Sequence, residues 1–163
     1  MGTFNAKILA EFQPPRKWKL GRDLTYSTKE LMGDEIKALQ DIGVKVNRDT
    51  DISPVDITVP NEFMTDLAST PRALWAFIAP FDVARAAIVH DLLYKTIRQY
   101  RWNKGDIEED KELIKKAKVV ADKVFLLAMK DAQPKVSGWK IYSAWKAVDL
   151  FGRWSIIPNE KNI

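Results

Sequence analysis

Two periodicities divide the chain. In "KWKLGRDLTYS" (17–27), Trp18, Leu20, Leu24 and Tyr26 fall near a period of two. In "PVDITVPNEFM" (54–64), Val55, Ile57 and Val59 alternate with polar neighbours, the pattern of half-buried strands. Between them, "STKELMGDEIKALQDIG" changes to helical spacing. Ser27 with Glu30 forms a capping box, Leu31, Met32, Ile36 and Leu39 recur on one face, and Gly43 supplies a C-terminal stop. From residue 70 onward the pattern is helical throughout. Thr70 followed by Pro71 opens a short helix ending before Pro80, and Asp82 caps a helix over 83–100. Asp106 with Glu109 then precedes a helix of roughly 25 residues that stops before Pro134, a length consistent with its uninterrupted periodic pattern. Gly138 precedes a last helix in which Ile141, Trp145 and Val148 share a face and Gly152 terminates. The predicted fold is α+β: short N-terminal antiparallel strands, then a helical body with two long antiparallel helices carrying His90 and Asp122. It forms a single domain over 1–163 with a helical insertion at 28–53.

Composition narrows the function. Hydrophobic residues make up 46% of the 163 and charged residues 29%, a globular balance. There is no cysteine and one histidine, which removes disulfides and a structural zinc site and suits a reducing compartment. The N-terminus lacks the basic flank and apolar core of a signal peptide, and no apolar run is long enough to span a bilayer, so a soluble protein is expected. The net charge of +4 comes from Lys and Arg interleaved with Asp and Glu, without a single-sign patch, so nucleic acid is not an expected partner.

The lone histidine carries the chemistry. In "ARAAIVHDLLYKTI" (84–97), His90 has Ala86, Ala87, Leu93 and Tyr94 three and four residues away, so the imidazole faces packed surface and needs a partner. Asp122 meets the same need on the following helix, where Val119, Phe125 and Leu126 flank it with an apolar face. A level count from the connecting turn leaves the two offset by about 9 Å at 1.5 Å per residue. Asp91 points about 100° away from His90, and a carboxylate there can hold a hard cation such as calcium if carbonyls from a nearby loop complete its shell. The loop "MTDLASTPR" is the candidate, with Asp66, Ser69, Thr70 and Arg72 in seven residues. Simpler readings stand beside these: His90 and Asp122 as a bond holding two helices in register, Asp66 with Arg72 as a loop-bracing ion pair, and Ser69 as a loop or cap residue. The tryptophans near Lys140 and Lys146 (Trp139, Trp145 and Trp154) suit a core, a subunit contact or a lipid surface, and Lys111, Lys115 and Lys118 suit a solvated face.

The segments "VPNEFMTDLASTPRALW", "AAIVHDLLY", "ADKVFLLAM" and "YSAWKAVDLFG" resemble a family of small, mostly phage-encoded proteins of unassigned function, marked by T-D-x-A-S-x-P-R, H-D-x-L-Y and A-D-x-x-F. That resemblance implies a virion or tail accessory protein with other phage structural proteins as partners. Its expected location is the host cytoplasm during infection, with assembly into the particle. More remotely, H-D-x-x-Y followed by a helix bearing an Asp resembles the secreted phospholipase A2 superfamily. This second resemblance implies His90 as general base, Asp91 as calcium ligand, Asp122 as the carboxylate orienting His90 and Tyr94 as a supporting hydroxyl. The superfamily's glycine-rich calcium loop and helix-pairing cysteines are absent from the sequence.

Overall fold

A computed structural model describes residues 1–15, 17–65, 83–105, 108–133 and 135–163. It has the expected α+β order. The strands are β1 (Thr3–Phe4), β2 (Ala10–Gln13), β3 (Lys17–Leu20), β4 (Leu24–Thr28), β5 (Val46–Asn47), β6 (Val55–Val59) and β7 (Met64–Thr65), with α1 (Gly33–Asp41) between β4 and β5. The helical body follows as α2 (Ala84–Lys104), α3 (Lys111–Lys130) and α4 (Gly138–Ser155). The short helix expected from Thr70, the Asp82 cap and the loop bearing Asp66, Ser69 and Arg72 lie outside the described residues, as does Asp106.

All strand pairs are antiparallel, in one sheet of order β1-β4-β6-β5 and one of order β2-β3-β7. In the first sheet Leu24 faces Val59, Tyr26 faces Ile57 and Thr28 faces Val55. Alternation therefore puts Leu24, Tyr26, Val55, Ile57 and Val59 on one buried face, and Thr25 and Thr58 on the other. The 17–27 stretch is two strands rather than one. The chain turns at Gly21 and passes from the second sheet to the first, a turn that a period-two count does not register because Leu20 and Leu24 are both buried. The inserted helix also starts later than expected. Ser27 and Thr28 complete β4, and the helix enters at Met32, whose N–H donates to the Glu35 carboxylate at 2.8 Å. Gly43 stops it as expected, with φ of 98°.

Three cross-links show that α2 and α3 run antiparallel. Tyr100 Oη donates to Asp110 Oδ1 near the connection, His90 meets Asp122 midway, and Arg85 reaches the Gln133 carbonyl at the far end. The 9 Å mismatch closes because α2 runs four residues past position 100, to a left-handed Gly105 with φ of 76°. The acidic segment forms a 3-10 turn at Glu108–Asp110 instead of starting α3. Helix α3 is the centre of the body, in contact with α1, α2 and α4. Ala117, Ala121 and Ala128 are fully buried on it and let neighbouring backbones approach closely. One continuous apolar cluster joins the sheet face to all four helices. The α1 face is further tied to α3 by Lys123 to Glu35 at 2.7 Å and Lys116 to Asp34 at 2.9 Å.

Candidate functional site

The structure brings His90, Tyr94 and Asp122 together. His90 Nε2 lies 3.1 Å from Asp122 Oδ1, and Tyr94 Oη donates to the same oxygen at 2.7 Å. His90 and Tyr94 share a face of α2 because four residues make about one turn, and Asp122 projects to them from α3. The His90 ring sits 4.0 Å from the Tyr94 ring and 4.9 Å from that of Phe125, so its tilt is held by aromatic contact on two sides. His90 is 5% exposed and Asp122 3%.

The fourth member is a residue the sequence reading placed in solvent. Lys118 is 8% exposed, and its Nζ lies 2.8 Å from Asp122 Oδ2 while donating to the Asp149 carbonyl at 3.0 Å. The expectation put Val119 on the Asp122 face, but Val119 is 56% exposed and Lys118, one turn before Asp122, takes that place. The signal was present as an i,i+4 Lys–Asp pair. It was masked by Lys111 and Lys115, which make the run look like an exposed stripe and are in fact exposed. Gly152 likewise does not terminate α4, which continues to Ser155. A Cβ at Gly152 would lie 2.1 Å from Tyr94 Oη and 3.1 Å from Lys118 Cε, so the missing side chain is what lets α4 close over the cluster.

Burial pushes the Asp122 carboxyl up, but the His90 hydrogen bond and charge, with the Lys118 and Tyr94 contacts, outweigh it and hold the group below the ordinary carboxylate range. Burial, reinforced by the Asp122 charge and hydrogen bond, drives Tyr94 far above the usual phenol value. Asp122 is therefore an ionised, acceptor-only group at neutral pH. Its partner nitrogen Nε2 must then carry a proton, so in the uncharged form of the imidazole the lone pair is on Nδ1. Among the described residues none bonds Nδ1. An imidazole so oriented can accept a proton at Nδ1 and share the resulting charge with a fixed carboxylate.

Asp91 points elsewhere. It is 6% exposed, accepts a hydrogen bond from Thr65 Oγ1 at the end of β7, and lines a cleft of about 140 Å³ with Lys17, Lys95 and Lys161. Calcium takes six to eight oxygen ligands. The described residues by themselves do not make such a site: among them no group of three or more His, Cys, Asp or Glu side chains converges, and three ammonium groups share the cleft. Thr65 leads directly into the 66–72 segment, which lies outside the described residues. No helix among the described residues is long and apolar enough to cross a membrane.

No curated protein and no solved structure matches the sequence. One protein family does, over residues 42–148, a span that holds the histidine helix, the aspartate helix and most of α4. By that match the chain belongs to the family described as "Protein of unknown function (DUF1353)".

Proposed function

We propose that the protein is an ester hydrolase of the phospholipase A2 type, encoded by a phage, with His90 as its general base. The observation that carries this reading is the division of the imidazole, with Nε2 committed to Asp122 and Nδ1 left as the basic atom. In the proposed reaction a water gives its proton to Nδ1 while its oxygen attacks the ester carbonyl. The tetrahedral intermediate then collapses as the imidazolium returns that proton to the leaving alcohol, giving one acid and one alcohol. Asp122 and Tyr94 position His90 and do not touch substrate. Lys118 holds the second carboxylate oxygen. Calcium, which the resemblance implies, would supply charge stabilisation at the oxyanion when bound. Asp91 would be one ligand and backbone carbonyls of the 66–72 segment would be others, while the side chains of Asp66, Ser69 and Arg72 are proposed to bind the substrate and not the metal. No step above is routed through the metal. The phage attribution rests on the T-D-x-A-S-x-P-R and H-D-x-L-Y segments.

The test is fatty-acid release from mixed phospholipid vesicles, with calcium and with chelator. The wild type should release fatty acid, and His90→Gln should lose about 10²-fold or more of that rate while its circular dichroism is unchanged. Release that does not depend on His90, or no release in either condition, would refute the enzyme.

A second reading is favoured by one feature of α4. Trp139, Tyr142, Leu150 and Trp154, each 53–60% exposed, line its outward side with Lys146 and Arg153 among them, while Ile141, Ala144 and Val148 face the core. Such an anchor-rich stripe suits a virion or tail accessory protein that docks on neighbouring phage subunits. A lipid surface is the other partner that the same stripe fits. Mass spectrometry of purified particles distinguishes this role, since finding the protein only in infected-cell lysate would exclude it from the virion.

A further inference from the structure

A second cleft is larger than the one beside Asp91 and, among the described residues, carries no cluster of charges of one sign. It encloses about 830 Å³ against the polar face of the first sheet, within the size range of small-ligand sites. Its floor is the paired hydroxyls of Thr25 and Thr58, whose Oγ1 atoms are 2.8 Å apart. One wall runs from the end of α1 to β5, with Gln40 and Asn47, and another is the Leu92 and Thr96 turn of α2.

The lining selects a chemical class. Its hydrogen-bonding groups are mostly side-chain amides and hydroxyls, which donate and accept alike. The charges that line it are one of each sign, Asp23 and Lys45, and so offset each other. A strongly anionic or cationic ligand would therefore find no net compensating charge, and its desolvation would go unrepaid. A neutral ligand rich in hydroxyls meets no such penalty, because each hydroxyl also donates and accepts. Apolar Val44, Val46 and Leu92 provide surface for the C–H faces of a sugar ring. The amides of Gln40 and Asn47 have no hydrogen-bond partner among the described residues, so they can turn to a ligand without breaking a bond within the fold.

We infer that this cleft is a binding site for a neutral saccharide, held by Gln40, Asn47 and the Thr25–Thr58 pair. The site is separate from the His90 cluster and does not depend on the hydrolase reading. It is tested by saturation-transfer NMR on the full chain with maltotriose, cellotriose and the N-acetylglucosamine trimer, and with glucose 6-phosphate as a charged comparison. At least one neutral trisaccharide should receive saturation. The double variant Gln40→Ala, Asn47→Ala changes two exposed side chains and should keep the fold while weakening that binding about tenfold, the loss of one or two hydrogen bonds. The inference is overturned if no neutral sugar receives saturation, if the double variant binds as the wild type does, or if glucose 6-phosphate alone binds.

Discussion

Gly152→Ala tests how α4 is fitted to the polar cluster. In most helix interiors this change stabilises, by about 1 kcal/mol, because alanine is the better helix former. Here the new Cβ would stand 2.1 Å from Tyr94 Oη, and that hydroxyl has nowhere to move, since it is buried and bonded to Asp122 at 2.7 Å. Relief requires either α4 to lift or the tyrosine to abandon its carboxylate. Overpacking costs about 1–3 kcal/mol, and losing a hydrogen bond to a charged group about 1.5–3 kcal/mol. Either route alone, set against the helix gain, leaves a net destabilisation of about 0.5–2 kcal/mol. Urea denaturation of four proteins measures it: wild type, Gly152→Ala, Tyr94→Phe and the double variant. Tyr94→Phe removes the atom in closest conflict and leaves Cζ, at 3.1 Å, as the tightest remaining contact on the ring. The alanine should therefore cost at least about 1 kcal/mol less in the phenylalanine background, a coupling of the size neighbouring residues show. A neutral or stabilising Gly152→Ala, or strictly additive effects, would refute this account of the packing.

Four further outcomes follow, three from the same cluster and one from the N-terminal strand. Asp122→Ala leaves the buried Lys118 ammonium with the Asp149 carbonyl at 3.0 Å and the more exposed Asp149 carboxylate at 3.6 Å as partners, so it should cost at most about 3–5 kcal/mol, and adding Lys118→Met should recover part of that in thermal unfolding. Because the folded Asp122 carboxyl lies below its unfolded value, its contribution is present above the ordinary carboxylate pKa and is lost as pH falls through the depressed value. Stability measured below about pH 4 should accordingly fall less in Asp122→Asn than in the wild type. Tyr94 has the opposite sign, its raised value making stability full below about pH 10 and lost above it as the unfolded phenol ionises, so Tyr94→Phe should flatten the alkaline limb of the same measurement. Finally, Asp131 accepts both the Gly2 N–H and the Tyr26 hydroxyl at 2.7 Å. Asp131→Ala should free β1 selectively, seen as faster hydrogen exchange at residues 2–5 with α2 and α3 still protected; unchanged exchange there would refute the tether.

The sequence by itself determined the class of fold and the candidates for the pair at the centre of the site. Alternation and helical spacing are local, and a histidine flanked by Ala86, Ala87 and Leu93 demands a buried partner wherever the chain goes. A carboxylate on an equally apolar helix is one group that meets that demand and a backbone carbonyl is another, so the sequence made Asp122 a candidate partner for His90 while the level count left the two about 9 Å apart. Tertiary structure decided the rest. Whether Lys118 faces water or Asp122 depends on α4 lying across α3, and no run of lysines shows this. Gly152 as a close-packing residue depends on Tyr94, which lies on a different helix. Likewise Gly21 ends one strand because its neighbours pair in different sheets, information carried by partners far along the chain and absent from any short window.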